Sequence, residues 1–149
     1  VHRFEPLEPG EPIGVVALSG PVDPARLERG LARVRGWGHP LLLAPNLAQR
    51  SGYLAGSDDL RLEGLEWVLD RGARVLLAAR GGYGVTRLLG RMPWSRLVGC
   101  GACFVGFSDL TALLNPLGTR GGRVQVHGPM VAAGLARPGN ARRLLDVLQ

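Results

Sequence analysis

Five short apolar runs, each closed by Gly, Ser or Pro, limit what this chain can fold into. Ile13 to Ser19 (IGVVALS) ends at Gly20-Pro21, and Pro40 to Ala44 follows the glycines at 36 and 38. Val75 to Ala79 leads into Arg80-Gly81-Gly82-Tyr83-Gly84, Cys103 to Phe107 leads into Ser108-Asp109, and Val124 to His127 leads into Gly128-Pro129. Such runs are too short for core helices and too continuously apolar for strands with one wet face, so they read as buried strands. Helical patterns lie between them, and this alternation predicts an α/β fold with a mainly parallel sheet flanked by helices.

The helices have their own signals. Asp23 caps a helix with Pro24 at its first position that runs to about Arg35, where Gly36 and Gly38 end it. Ser57 caps another, with Asp58 and Asp59 in its first turn and Leu60, Leu62, Leu65, Trp67, Val68 and Leu69 expected on its buried face. Short helices are expected near Val85 to Leu89 and through Met130-Val131-Ala132. A longer one is expected from Asp109 to about Leu117, stopped by Pro116 and Gly118, and a terminal helical pattern carries Arg142 and Arg143.

A chain of 149 residues with 46% apolar content and a mean hydropathy of +0.10 is expected to form one folded domain, residues 1–149. No apolar run approaches the roughly 18 residues of a membrane span, and VHRFEPLEPGEP lacks a signal-peptide core, so a cytoplasmic protein without a membrane partner is expected. The net charge of +6 raises nucleic acid as a partner. All eighteen basic residues, however, are arginines spread from Arg3 to Arg143, and this scatter argues against a phosphate-binding face. Cys100 and Cys103 form a C-x-x-C pair, open to redox, metal or purely structural readings. No second ligand pair accompanies it, and it enters the apolar run ACFVGF, which favours buried or edge thiols and no metal site.

In parallel sheets ligands bind beyond the carboxyl ends of the strands. Those ends carry Ser19-Gly20-Pro21, Arg80 to Gly84, Ser108-Asp109 and His127-Gly128-Pro129. Ser108 has two readings, a helix cap or a nucleophile lifted clear on a sharp strand-to-helix turn, and the company of the other strand ends leads to the expectation that it is both. The glycines of RGGYG suit a backbone that comes close to a substrate and points an N–H at an oxyanion. A phosphate loop would need a lysine, and a dinucleotide fingerprint would follow the first strand; neither is present, so no cofactor is expected. His127 is read either as a turn histidine or as a base.

Ala79 to Leu89 (ARGGYGVTRLL), Val105 to Leu114 (VGFSDLTALL) and Val126 to Met130 (VHGPM), in this order, resemble the N-terminal half of the LD-carboxypeptidase family of serine peptidases. IGVVALSGPVDPARLERGL and GYLAGSDDLR match its opening strand-helix and second loop. The family includes muramoyltetrapeptide carboxypeptidases and microcin C self-immunity proteins. The resemblance implies a cytoplasmic, metal-free serine peptidase that removes a C-terminal D-amino acid from murein tetrapeptide during cell-wall recycling. It implies Ser108 as nucleophile, backbone N–H groups of Asp109 and Gly82 as oxyanion hole, and Gly81, Tyr83 and His127 as substrate contacts. It also implies a homodimer and a C-terminal domain that supplies the triad's glutamate and histidine, without which residues 1–149 alone are expected to be inactive. A peptidyl-nucleotide hydrolase of the microcin type and a non-catalytic peptide-binding domain are the alternatives.

Overall fold

The computed structural model describes residues 5–121 and 124–149. Among them five strands, β1 (Ile13–Val16), β2 (Leu41–Leu43), β3 (Val75–Ala78), β4 (Cys103–Gly106) and β5 (Val126–His127), form one sheet. The order is β2-β1-β3-β4-β5 and every neighbouring pair is parallel. Ile13 lies beside Leu41 and Val75, Val75 beside Cys103, and Val105 beside Val126. β1, β3 and β4 are buried along their whole length, as continuous apolar strands covered on both faces must be. The edges, β2 and β5, are short and partly exposed, which leaves little unpaired backbone.

The helices are α1 (Pro24–Arg35), α2 (Asp58–Asp70), α3 (Val85–Leu88), α4 (Trp94–Gly99), α5 (Thr111–Gly121) and α6 (Pro138–Leu148). The chain steps from β1 outward to β2, then returns across β1 to β3 and continues the other way. With right-handed crossovers this puts α1 on one face, packed with α6, and α2 to α5 on the other. The caps form as the sequence predicts: Asp23 Oδ1 accepts from Arg26 N at 2.8 Å and Ser57 Oγ from Leu60 N at 3.2 Å. None of these helices is long and apolar enough to cross a membrane.

Three local expectations are corrected. On α2 the buried face is Arg61, Leu62, Gly64, Leu65, Val68 and Leu69, whereas Leu60 is exposed and Trp67 only half-buried. At about 100° per residue Arg61, Leu65 and Val68 fall together, and Leu60 and Trp67 lie more than a quarter turn away. α5 does not stop at Pro116 but runs through Pro116 and Gly118 to Gly121, because its buried Leu113, Leu114 and Leu117 hold it against the sheet. The segment at Met130 to Ala132 is a turn and not a helix. Val131 N and Ala132 N donate to Ala78 O and Ala79 O at 3.0 and 2.8 Å, so the carbonyls at the end of β3 capture it. α4 is an element the sequence patterns did not reveal.

Cys100 and Cys103 are free thiols at the end of the sheet opposite Ser108, Cys103 buried at the start of β4 and Cys100 half-buried with its Sγ donating to Leu97 O at 3.3 Å. Burial pushes the Cys103 thiol up to about 11. In the native protein at pH 8, a haloacetamide is therefore expected to label Cys100 at least about tenfold faster than Cys103, with both reacting after unfolding, as read by peptide mass. Gly30 gives a second check. A Cβ there would lie 1.9 Å from Val131 O, so α1 touches the captured turn without a side chain between them. Gly30→Ala is expected to cost about 2 kcal/mol or more in a urea titration, and an unchanged midpoint would contradict this packing.

Candidate active site

β4 ends at Gly106, and two residues later Ser108 has φ 61°, the one non-glycine in the left-handed region among the described residues. That conformation costs an L-residue about 1–2 kcal/mol. It starts a tight 3-10 turn, Ser108–Leu110, that leads directly into α5. The N-cap position of this turn is Phe107, and no side chain caps it. The expected cap bond from Ser108 is thus absent, and its hydroxyl is left without a hydrogen-bond partner among the described residues.

Ser108 opens into a cavity of about 250 Å³ with Arg80, Gly81, Gly82, Asp23, Arg26 and Met130 among its walls. The glycine loop comes close because it has no side chain: a Cβ on Gly81 would lie 3.2 Å from Ser108 Cβ and 3.3 Å from Ser108 Oγ. The loop is also tied down. Gly20 N and Arg80 Nε both donate to Gly81 O at 3.1 Å, and Arg80 Nη1 donates to Pro21 O at 3.0 Å. These two loops leave β1 and β3, the adjacent strands at which the strand order reverses, where a parallel sheet opens its crevice.

Two charged side chains set the spacing of the rim. Asp109 Oδ2 accepts from Ser19 Oγ at 2.6 Å and from Val85 N at 2.9 Å, joining the end of β1 and the start of α3 to the turn after β4. Arg61 is fully buried; its Nη1 donates to Leu18 O at 2.5 Å and to Gly84 O at 2.9 Å, and its Nη2 pairs with Asp58. A Cβ at Gly84 would stand 2.5 Å from that Nη1, and its φ of 143° is itself strained for other residues, so this position needs glycine twice over. Asp58 also takes two bonds from Arg87, at 3.0 and 2.9 Å.

Of the residues singled out in the sequence, Ser108, Gly81 and Gly82 meet in one cavity and Asp109 braces it. Tyr83 and His127 are not among its walls. Tyr83 is half-exposed beside Tyr53, with ring centroids 5.7 Å apart. His127 lies against Phe107 at 6.1 Å and lines two shallower cavities flanking β5. Sequence reasoning missed Arg26, Arg61 and the captured turn at Met130. Among the described residues no group of three His, Cys, Asp or Glu is placed to hold a metal ion.

Residues 13–128 match the model of the LD-carboxypeptidase N-terminal domain. The chain belongs to the LD-carboxypeptidase family. A Streptomyces coelicolor protein classed by name among the carboxypeptidases is 44% identical in a 142-residue alignment that covers 91% of this chain and 45% of that protein. The murein tetrapeptide carboxypeptidase of Pseudomonas aeruginosa is 36% identical over 127 residues, 82% of this chain and 41% of the relative. A solved microcin self-immunity protein shares the fold, with a TM-score of 0.89 at 19% identity over 98% of this chain and 46% of its own. This LD-carboxypeptidase domain thus spans less than half the length of the curated relatives it matches.

The Asp58 pairing is expected to weaken in acid. Hydrogen bonds from Arg87 hold the Asp58 carboxyl below the usual carboxylate value, burial opposes the shift, and Arg61 adds to it. A depressed folded value contributes stability that is present above the unfolded value and lost as pH falls through the folded one. The urea midpoint is therefore expected to fall below about pH 4, and Asp58→Asn should be less stable at neutral pH and lose part of that slope. An identical pH profile in the variant would contradict the pairing.

Proposed function

We propose that this domain carries the nucleophile of a serine carboxypeptidase that releases a C-terminal D-amino acid from murein tetrapeptide in the cytoplasm. The observation that carries the reading is the Ser108 hydroxyl, without a hydrogen-bond partner among the described residues, on a strained strand-to-helix turn and sharing a cavity with Gly81 and Gly82. A pure helix cap has no need of that strain, whereas a nucleophile gains exposure from it.

In this reading Ser108 Oγ attacks the carbonyl carbon of the L,D bond and gives up its proton. The carbonyl oxygen takes the negative charge, and the N–H groups of Gly82 and Asp109 are assigned to it. Gly82 N–H has no hydrogen-bond partner among the described residues, which fits a donor held in reserve. Collapse of the tetrahedral species breaks the C–N bond, the leaving amine takes the proton, and water then hydrolyses the Ser108 ester. The proton carrier is assigned to a histidine and a glutamate of a second, C-terminal domain, because this chain's own His127 faces other cavities; that the whole enzyme is a homodimer rests on the family resemblance alone. Murein is preferred over a peptidyl-nucleotide because the named murein enzyme is 36% identical, while 19% identity to the microcin protein supports the fold alone.

The test needs a protein that joins this domain to the second half its relatives possess. There, Ser108→Ala is expected to cut D-alanine release from murein tetrapeptide by about 10⁴-fold or more with folding intact. Residues 1–149 alone should release none above background. Wild-type turnover in Ser108→Ala would overturn the serine reading.

A further inference from the structure

The cavity beside Ser108 holds two arginines that the chemistry at the hydroxyl does not use. Arg26, in the first turn of α1, is exposed, and its guanidinium has no hydrogen bond or ion pair among the described residues. Several other surface arginines sit against carboxylates, as Arg35 does with Glu28, Arg87 with Asp58 and Arg96 with Asp70; what sets Arg26 apart is its place in the wall of the cavity beside Ser108. Arg80 is held by two loop carbonyls, Gly81 O and Pro21 O, at 3.1 and 3.0 Å; these fix its position and leave its charge unneutralised. The acid in the cavity wall is Asp23, and its Oδ1 is already taken by Arg26 N at the start of α1, where the helix dipole favours it. The wall therefore carries one positive charge in excess, from side chains that follow two different strands.

The chemistry next to it sets the ligand. The α-carboxylate of a C-terminal residue is separated from the scissile nitrogen by a single carbon, so whatever reads it must share a cavity with the nucleophile. A volume of about 250 Å³ suits one small residue and falls below the roughly 300–1,000 Å³ usual for larger ligands. Guanidinium groups match a carboxylate by charge and by paired donors.

We propose that Arg26 and Arg80 form the subsite for the free α-carboxylate of the residue released at Ser108, so that this domain itself reads the end of the peptide. The proposal rests on the peptidase reading of Ser108. Arg80 acts as the positioned donor and Arg26 as the mobile charge that closes on the carboxylate.

Binding can be measured without turnover in full-length Ser108→Ala protein by calorimetry, comparing murein tetrapeptide with the same peptide carrying a C-terminal amide. The acid is expected to bind roughly 10- to 100-fold more tightly than the amide. Adding Arg26→Gln should weaken the acid alone and bring the two within about threefold. The Arg26 guanidinium holds no loop carbonyl or carboxylate among the described residues, so this variant decides the matter even if Arg80→Lys disturbs the loops. Equal binding of acid and amide in the parent, or an undiminished preference in Arg26→Gln, would overturn the subsite. Its failure is separable from that of the peptidase reading: persistent turnover in Ser108→Ala defeats the nucleophile, whereas the acid-amide ratio judges the arginines.

Discussion

The carboxylate of Asp109 is the tie on which the rim of this domain depends. It immediately follows the strained Ser108 and accepts from Ser19 Oγ and Val85 N, so one side chain joins segments 90 and 24 residues away in the chain. Hydrogen bonds to a charged acceptor are worth about 1.5–3 kcal/mol each, and together they exceed the 1–2 kcal/mol of left-handed strain at Ser108. The elbow is therefore an outcome of tertiary bonding. The same bonds fix how far apart the loops after β1 and β3 stand, and hence the width of the cavity between them.

Arg61 solves the problem that this opening creates. Where the β1 and β3 loops diverge, the carbonyls of Leu18 and Gly84 are turned inward without ladder partners, and unpaired buried carbonyls are costly. One guanidinium reaches both and is balanced by Asp58, which is in turn held by Arg87. Desolvating that charge costs several kcal/mol, and the geometry repays it only because the acceptors lie where a planar fork can reach them. An apolar residue would pack there and leave two carbonyls unsatisfied. Removing the guanidinium would therefore be felt at Ser108 through the RGGYG loop, at a distance from any reacting atom.

The strands, the caps at Asp23 and Ser57 and the grouping of Ser108 with Gly81 and Gly82 were readable in the sequence because each rests on local chemistry. Run length, turn residues and capping oxygens act over a few residues and survive any arrangement of the sheet. The errors have a common origin. Hydrophobicity places Leu60 and Trp67 on a buried stripe, but the stripe is centred on a cation whose partners include backbone carbonyls distant in sequence. The helix expected at Met130 to Ala132 gave way to a turn because Ala78 O and Ala79 O offered it better partners.

What the sequence determined by itself was the class of fold, the family and the short list of residues at the strand ends. Strand order decided which of those ends meet. With β1 and β3 adjacent and β5 at the far edge, the loops of the first two flank Ser108, while His127 lies beyond Phe107 against other cavities. Five parallel strands of similar composition can be ordered in several ways, and no local pattern distinguishes an inner strand end from an outer one. That choice, made by long-range pairing and by the bonds of Asp109 and Arg61, turned a list of candidate residues into one cavity.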